Sequence, residues 1–158
     1  MSWINAGWWL CYAFAAVALQ AFMPGLDFLL PGFILALQER NAPQVLAVGA
    51  LFVLLQEGMG SMAFGGTLLW YALAAIVFYV GCGLLQGTGF LFVTLFGALL
   101  SCAHYVIFAL LSTLQDIPWN PSLLLDECLF QTLFTPWIWW MAAGLRRMVM
   151  HEDRNRQR

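Results

Sequence analysis

Ser101 and His104 are the pair of side chains whose types could support nucleophilic catalysis. They are three positions apart, so on a helix they share one face. An activated serine also needs an oxyanion site and a base fixed by geometry, and intramembrane serine proteases place the two residues on different helices. We therefore predict no catalytic residues and interpret this pair as an intramembrane polar contact. A functional role for His104, as an ionisable group within the membrane, stays open.

The histidines and cysteines do not have the spacing of a metal site. Cys102 and His104 are two residues apart, which directs them to nearly opposite faces of a helix. The four cysteines form no CxxC pair, and the other histidine, His151, is close to the C-terminus. We expect neither a metal nor a cofactor.

The most distinctive polar stretch is QEGMGS at positions 56–61. Its glycines permit a tight turn, and a turn at membrane depth must satisfy its backbone within the protein. Two interpretations stay open: a docking site in which Glu57 makes a specific contact, or an ordinary hairpin with a solvated carboxylate. The candidate residues for this partner-binding or structural turn are Glu57, Gly58, Gly60 and Ser61.

The elements that position these residues are predicted to be membrane helices. The composition is 63% hydrophobic and 9% charged, whereas a soluble domain is about 25% charged. One crossing takes about 20 helical residues, so the chain has room for five or six. We predict an all-α polytopic bundle. The apolar runs cover positions 6–22, 28–37, 44–56, 64–85, 90–114 and 123–145.

The second run is short for a crossing and contains Pro31. Either it crosses as a tilted, thinned or partly re-entrant span, which gives six crossings, or it forms one crossing with the first run.

Two packing features concern the last two runs. Gly97 and Ser101 form a small-xxx-small pair, which permits close helix approach for internal packing or for oligomerisation. Pro136 predicts a kink in the last run.

All six arginines fall in two places: Arg40 follows the second run, and five follow the last run. Arginines in short loops mark the cytoplasmic side. Four predicted crossings separate the two places, so the C-terminus is expected inside. The N-terminus is inside if two crossings precede Arg40 and outside if one does. We divide the chain into a transmembrane domain, 1–147, and a polar cytoplasmic tail, 148–158, too short to fold alone.

Short stretches along most of the chain carry a family resemblance: LPGF at 30–33, GALF at 49–52, QEGMGS at 56–61, FGGTL at 64–68, TPWI at 135–138 and RR at 146–147. With the chain's size and span layout, they resemble the rod shape-determining protein MreD family. Members tend to carry an acid before a Gly/Ser-rich turn at the end of the third span. Glu57 occupies a place more often held by aspartate, and the short second run departs from the family's usual length.

The resemblance implies a non-enzymatic scaffold of the bacterial cell-elongation machinery in the inner membrane, which supports rod shape and peptidoglycan synthesis. It implies a fold similar to the six-helix substrate-binding subunits of energy-coupling-factor vitamin transporters. The implied partners are membrane lipid, an MreC-like single-span coiled-coil protein, the cell-wall synthase RodA with its transpeptidase, and MreB indirectly, with no nucleic acid. The alternative is a substrate-binding membrane subunit of a vitamin-type energy-coupling-factor transporter, whose histidine, serine, cysteine and aromatic residues line a pocket.

Overall fold

The computed structural model describes residues 3–23, 25–59, 65–84, 89–114, 118 and 120–156. Within these ranges every regular element is an α-helix, which confirms the all-α prediction for the described part of the chain. Each predicted run corresponds to one helix, with bounds that agree within three residues except at the end of the last run. The helices are α1 Trp3–Phe22, α2 Leu29–Gln38, α3 Ala42–Gly58, α4 Gly66–Leu84, α5 Phe90–Leu114 and α6 Pro121–Arg156.

Three of the described helices, α1, α4 and α5, are long and apolar enough to cross a membrane. By comparison, α2 and α3 have 10 and 17 residues, fewer than the roughly 20 of an ordinary span. The chain is therefore consistent with a membrane protein. The six-crossing count depends on α2, α3 and α6 and stays a prediction.

The short helix α2 is the centre of the bundle. Its nine residues from Leu29 to Leu37 are all buried, and it packs against α1, α3, α4 and α6. A helix that is apolar on every side is stable when other helices surround it. Because the ends of α2 meet polar groups of the protein, α2 does not need the length of a lipid-facing span. It is thus a central helix of the bundle, and whether it crosses the membrane as a tilted, thinned or partly re-entrant span stays a prediction.

The start of α1 meets α6 at one end of the bundle. Asn5, in the first turn of α1, accepts a hydrogen bond of 2.7 Å from Arg146 of α6. Glu39, directly after α2, is bonded to the same arginine. Consequently α1 and α2 run in opposite directions, as expected if two crossings precede Arg40. This arrangement places the N-terminus on the same side as Arg146.

The final helix α6 is longer than predicted. It has 36 residues and contains Pro136, and at about 1.5 Å per residue it is about 54 Å long. The polar tail continues α6 to Arg156, so residue 147 marks no change of secondary structure. The tail alone would be too short to form a stable helix as an isolated peptide. As a continuation of α6 it can be helical, because extending an existing helix needs no new nucleus. The kink expected at Pro136 stays a prediction.

Gly97 serves internal packing. A Cβ added at Gly97 would lie 3.4 Å from the Thr135 side chain of α6, which is ordinary van der Waals contact. The small-xxx-small pair left open internal packing and oligomerisation, and the structure shows Gly97 in internal packing between α5 and α6.

Replacing Gly32 with alanine is expected to destabilise the bundle by about 2 kcal/mol, a common cost of overpacking. A Cβ at Gly32 would overlap the Tyr12 ring. That ring cannot move aside freely, because its hydroxyl donates to the Phe28 carbonyl at 2.8 Å and it stacks on Trp8 at 5.5 Å. The measurement is unfolding of the purified protein by sodium dodecyl sulfate in detergent micelles.

The matched control is Gly7→Ala in α1, where an added Cβ has no atom within 4 Å. This variant should be as stable as the parent or slightly more stable, because alanine favours the helix over glycine. Equal losses in the two variants would show that contact with Tyr12 is not the cause.

Candidate functional site

Two groups of polar side chains lie at opposite ends of α2. We call Asn5, Glu39, Gln44 and Arg146 the Arg146 cluster. The Asp27 cluster, at the start of α2, consists of Asp27, Gln56, Tyr71 and Gln131. Each cluster joins helices that are distant in sequence, and a cavity opens beside the second.

The Arg146 cluster is a closed ring of hydrogen bonds. The Arg146 side chain, 5% exposed, donates from Nε and Nη2 to the Glu39 carboxylate, and Nη2 also donates to Asn5 Oδ1 at 2.7 Å. Asn5 Nδ2 donates to Gln44 Oε1 at 2.7 Å, and Gln44 Nε2 donates back to Glu39. The ring therefore ties α1, α3 and α6 to the end of α2.

Two tryptophans of α1 complete the surroundings of Arg146. Its Cζ lies 4.7 Å from the Trp8 ring centroid and 4.6 Å from the Trp9 ring centroid. A guanidinium above aromatic faces gains a cation–π attraction that is larger when the site is dry. Arg146, expected only to set the topology, is thus a structural centre of the bundle.

Asp27 fixes the start of α2. Its Oδ1 accepts the backbone N–H groups of Leu29 and Leu30 at 2.9 and 3.1 Å. These are among the free N–H groups that begin any helix, and a carboxylate is a favourable cap for them. The Tyr71 hydroxyl lies 3.4 Å from Oδ2, and Gln56 also bonds to the carboxyl group.

Gln131 of α6 holds the backbone of Asp27 by two bonds. Its Oε1 accepts the Asp27 N–H at 2.8 Å, and its Nε2 donates to the Asp27 carbonyl at 3.0 Å. An amide side chain can bond a backbone unit in this paired manner because it carries one acceptor and two donors. The start of α2 is therefore fixed to α6.

A cavity of about 380 Å³ lies beside the Asp27 cluster, between α1, α3, α4, α5 and α6. This volume is in the range of small-molecule sites, about 300–1,000 Å³. A second cavity of about 30 Å³ shares several of its lining residues. We call the two together the Asp27 cavity. The polar side chains of the larger part are Gln20, Asp27, Gln56, Thr67, His104 and Glu127.

The structure brings the predicted polar pair to this cavity. His104 lines both parts and Ser101 lines the smaller one, so the two residues share a helix face as expected. The His104 ring packs edge-on against Trp70 at 5.1 Å and stacks with Phe108 at 6.1 Å between centroids. The Ser101 side chain is buried, at 4% exposure.

Glu127 of α6 is a cavity residue that the sequence analysis did not select. Its carboxyl group lies against Gly25, where an added Cβ would be 2.6 Å from Cδ and from Oε1. Gly25 has a φ of +95°, which glycine adopts without strain. A signal was present in the sequence, because Glu127 and Gln131 are four residues apart and therefore share a face of α6.

Glu57 bonds the end of α3 to the residue that precedes α4. Its Oε1 accepts the Gly65 N–H at 2.8 Å, and the φ of +84° at Gly65 suits glycine. Gly58 is the last residue of α3, whereas Gly60 and Ser61 lie outside the described residues. Contact of this turn with a partner stays a prediction.

Within the described ranges, no three or more His, Cys, Asp or Glu side chains form a group that could hold a metal ion. No protein-family model matches the chain, nor does any curated protein or solved structure. The resemblance to MreD and the transporter-like fold therefore stay predictions from the sequence.

Proposed function

We propose that the chain is a non-enzymatic membrane scaffold of the bacterial cell-elongation complex, located in the inner membrane with a cytoplasmic C-terminus. The observation that carries this proposal is the outer face of α5. Large apolar side chains recur there at helical spacing and are exposed along its length, whereas the polar clusters are directed inward. Such a face suits packing against lipid or another membrane helix. The exposed residues are Leu91, Leu95, Leu99, Val106 and Leu110.

The sequence resemblance supplies the nature of the partners. An MreC-like single-span protein has a membrane helix that could pack on such an apolar face. The cell-wall synthase RodA, with its transpeptidase, is also a membrane protein, and MreB would join through the other components.

The test is affinity purification of the protein from its native host in mild detergent, followed by mass spectrometry. We expect a single-span coiled-coil protein and cell-wall synthases to be recovered with it. Recovery of transporter ATPase subunits instead would overturn the scaffold proposal.

Replacing Glu57 with alanine is expected to lower partner recovery about tenfold while membrane insertion stays intact. The variant removes the acceptor of the Gly65 N–H, and a hydrogen bond to a charged group is worth about 1.5–3 kcal/mol. The bond that joins the end of α3 to the residue before α4 would then be lost. The measurement is the ratio of recovered partner to bait, with insertion checked by membrane fractionation.

Glu57→Gln is the matched control for this prediction, since it keeps an acceptor oxygen at the same place and should retain most of the partner. Normal recovery with Glu57→Ala would rule out a role for this turn in assembly.

A second candidate function is the substrate-binding subunit of a vitamin-type transporter. The Asp27 cavity favours it, because the fold brings six polar side chains to one space of about 380 Å³. The same purification distinguishes the two functions, since this candidate requires that ATPase subunits be recovered.

A further inference from the structure

The polar groups of the Asp27 cavity are unbalanced in charge. Asp27 and Glu127 line both of its parts, and the described lining residues of either part include no arginine. The chain contains no lysine. A carboxyl group withdrawn from water is costly unless a cation or several hydrogen bonds compensate it, and Asp27 has such bonds from the start of α2. Glu127 is only partly buried, so its carboxyl group stays accessible at the cavity, with no cation among the lining residues.

Two further oxygen atoms of the cavity lining lack partners. Gln20 Oε1 and Ser101 Oγ are buried without a hydrogen bond to any of the described residues. Buried polar atoms in folded proteins are nearly always paired. An amide oxygen only accepts hydrogen bonds, and a hydroxyl can accept as well. The cavity therefore presents acceptors to whatever occupies it.

One wall of the cavity is aromatic. Trp70, His104 and Phe108 all line the larger part, and their rings contact one another in series. Aromatic faces bind apolar groups and attract cations, tryptophan most strongly. An occupant with a positive head and an apolar body matches the acceptors and this wall together.

We propose that the Asp27 cavity is a binding site for a small organic amine, in which a protonated nitrogen donates to Glu127 and to neighbouring oxygens while the apolar body contacts the aromatic wall. The Asp27 carboxyl group adds acceptor oxygens near the nitrogen. This site goes beyond the scaffold role. The site also gives a ligand class for the transporter candidate. Amine binding itself depends neither on the scaffold function nor on the transport function.

The test uses the purified full chain in detergent and three probes of nearly equal shape: 2-phenylethylamine, the neutral 2-phenylethanol and the anionic phenylacetate. Equilibrium dialysis should show saturable binding of the amine, with the alcohol and the acid bound at least tenfold more weakly. Glu127→Gln should weaken amine binding about tenfold or more, because a protonated amine bonds more strongly to a carboxylate than to a neutral amide oxygen.

Asp126→Asn is the matched control, since Asp126 is the exposed neighbour of Glu127 on α6, and it should leave amine binding unchanged. Thermal unfolding checks that each variant is folded. If Glu127→Gln is not folded, the binding of the three probes to the unaltered chain tests the proposal. Absence of saturable amine binding, equal binding of phenylacetate, or equal effects of the two variants overturns the proposal. Amine binding without recovery of cell-wall synthases would leave this site standing and refute only the scaffold.

Discussion

Replacing Arg146 with alanine is expected to lower the free energy of unfolding by about 3 kcal/mol. Removing one partner of a buried ion pair costs about 3–5 kcal/mol, because the other charge stays behind without compensation. The lower end applies because the Glu39 side chain is 31% exposed and water can solvate part of it. The loss extends to Asn5, whose Oδ1 would lose its donor from Arg146.

The matched control is Arg147→Ala. Arg147 is the next residue on α6 and is exposed, so its removal should change the free energy of unfolding by no more than about 0.5 kcal/mol. Both variants lose one positive charge from the same end of the bundle, and only Arg146 takes part in the ring of hydrogen bonds. Sodium dodecyl sulfate titration in micelles measures both. Equal losses of unfolding free energy in the two variants would show that positive charge at this end of the bundle stabilises the protein and that the ring of hydrogen bonds adds nothing.

Arg146→Lys separates charge from geometry. Lysine keeps the positive charge but cannot donate in the fixed fork that reaches Glu39 and Asn5 together. Its stability should therefore lie between those of the parent and Arg146→Ala.

The positions of the helices were predictable because length, apolar content and turn residues all act locally. The run 90–114, for example, is the same as α5, Phe90–Leu114. The central place of α2 was not predicted, since its 10 residues suggested a tilted, thinned or partly re-entrant span, or part of one crossing with the first run. Its apolar residues on every side were the signal of a helix surrounded by others.

The role of Arg146 could not be separated from that of Arg147 by charge alone. The arginine rule assigns a side of the membrane and treats both residues alike. Burial of Arg146 depends on Asn5, at the other end of the sequence, and on Glu39 in a separate loop. Helical spacing gave one usable sign in the sequence, because the small apolar residues Ala142 and Ala143 lie four and three positions before Arg146, on the same side of the helix; both are buried.

The candidate cavity was predictable in part. Ser101 and His104 share a face because both lie on one helix, which spacing alone predicts. Asp27 and Glu127 come from different parts of the chain, and only tertiary packing brings them together. Asp27 nonetheless had a local sign: a polar cap residue just before an apolar run, after the break at Pro24-Gly25, marks a helix start.

Replacing Asp27 with alanine is expected to lower the free energy of unfolding by about 3 kcal/mol. Loss of a helix cap costs about 0.5–2 kcal/mol, and a buried donor left unpaired costs about 1–3 kcal/mol. Both apply, because the N–H groups of Leu29 and Leu30 share the Asp27 carboxylate. Micellar unfolding measures the loss, and hydrogen exchange at these two amides should accelerate. Asp126→Ala, on an exposed residue, should change neither quantity.

Asp27→Asn distinguishes the two roles that the structure gives this residue. Asparagine keeps an acceptor oxygen and is an equally good cap, so stability and amide protection should stay close to those of the parent. The variant replaces an acidic group of the cavity with a neutral amide, so binding of 2-phenylethylamine should weaken. If Asp27→Asn destabilises the protein as much as Asp27→Ala, the charge itself is needed to hold α2 in place. Weaker amine binding by Asp27→Asn would then reflect the loss of structure, and the test of the amine site would rest on the Glu127 variant.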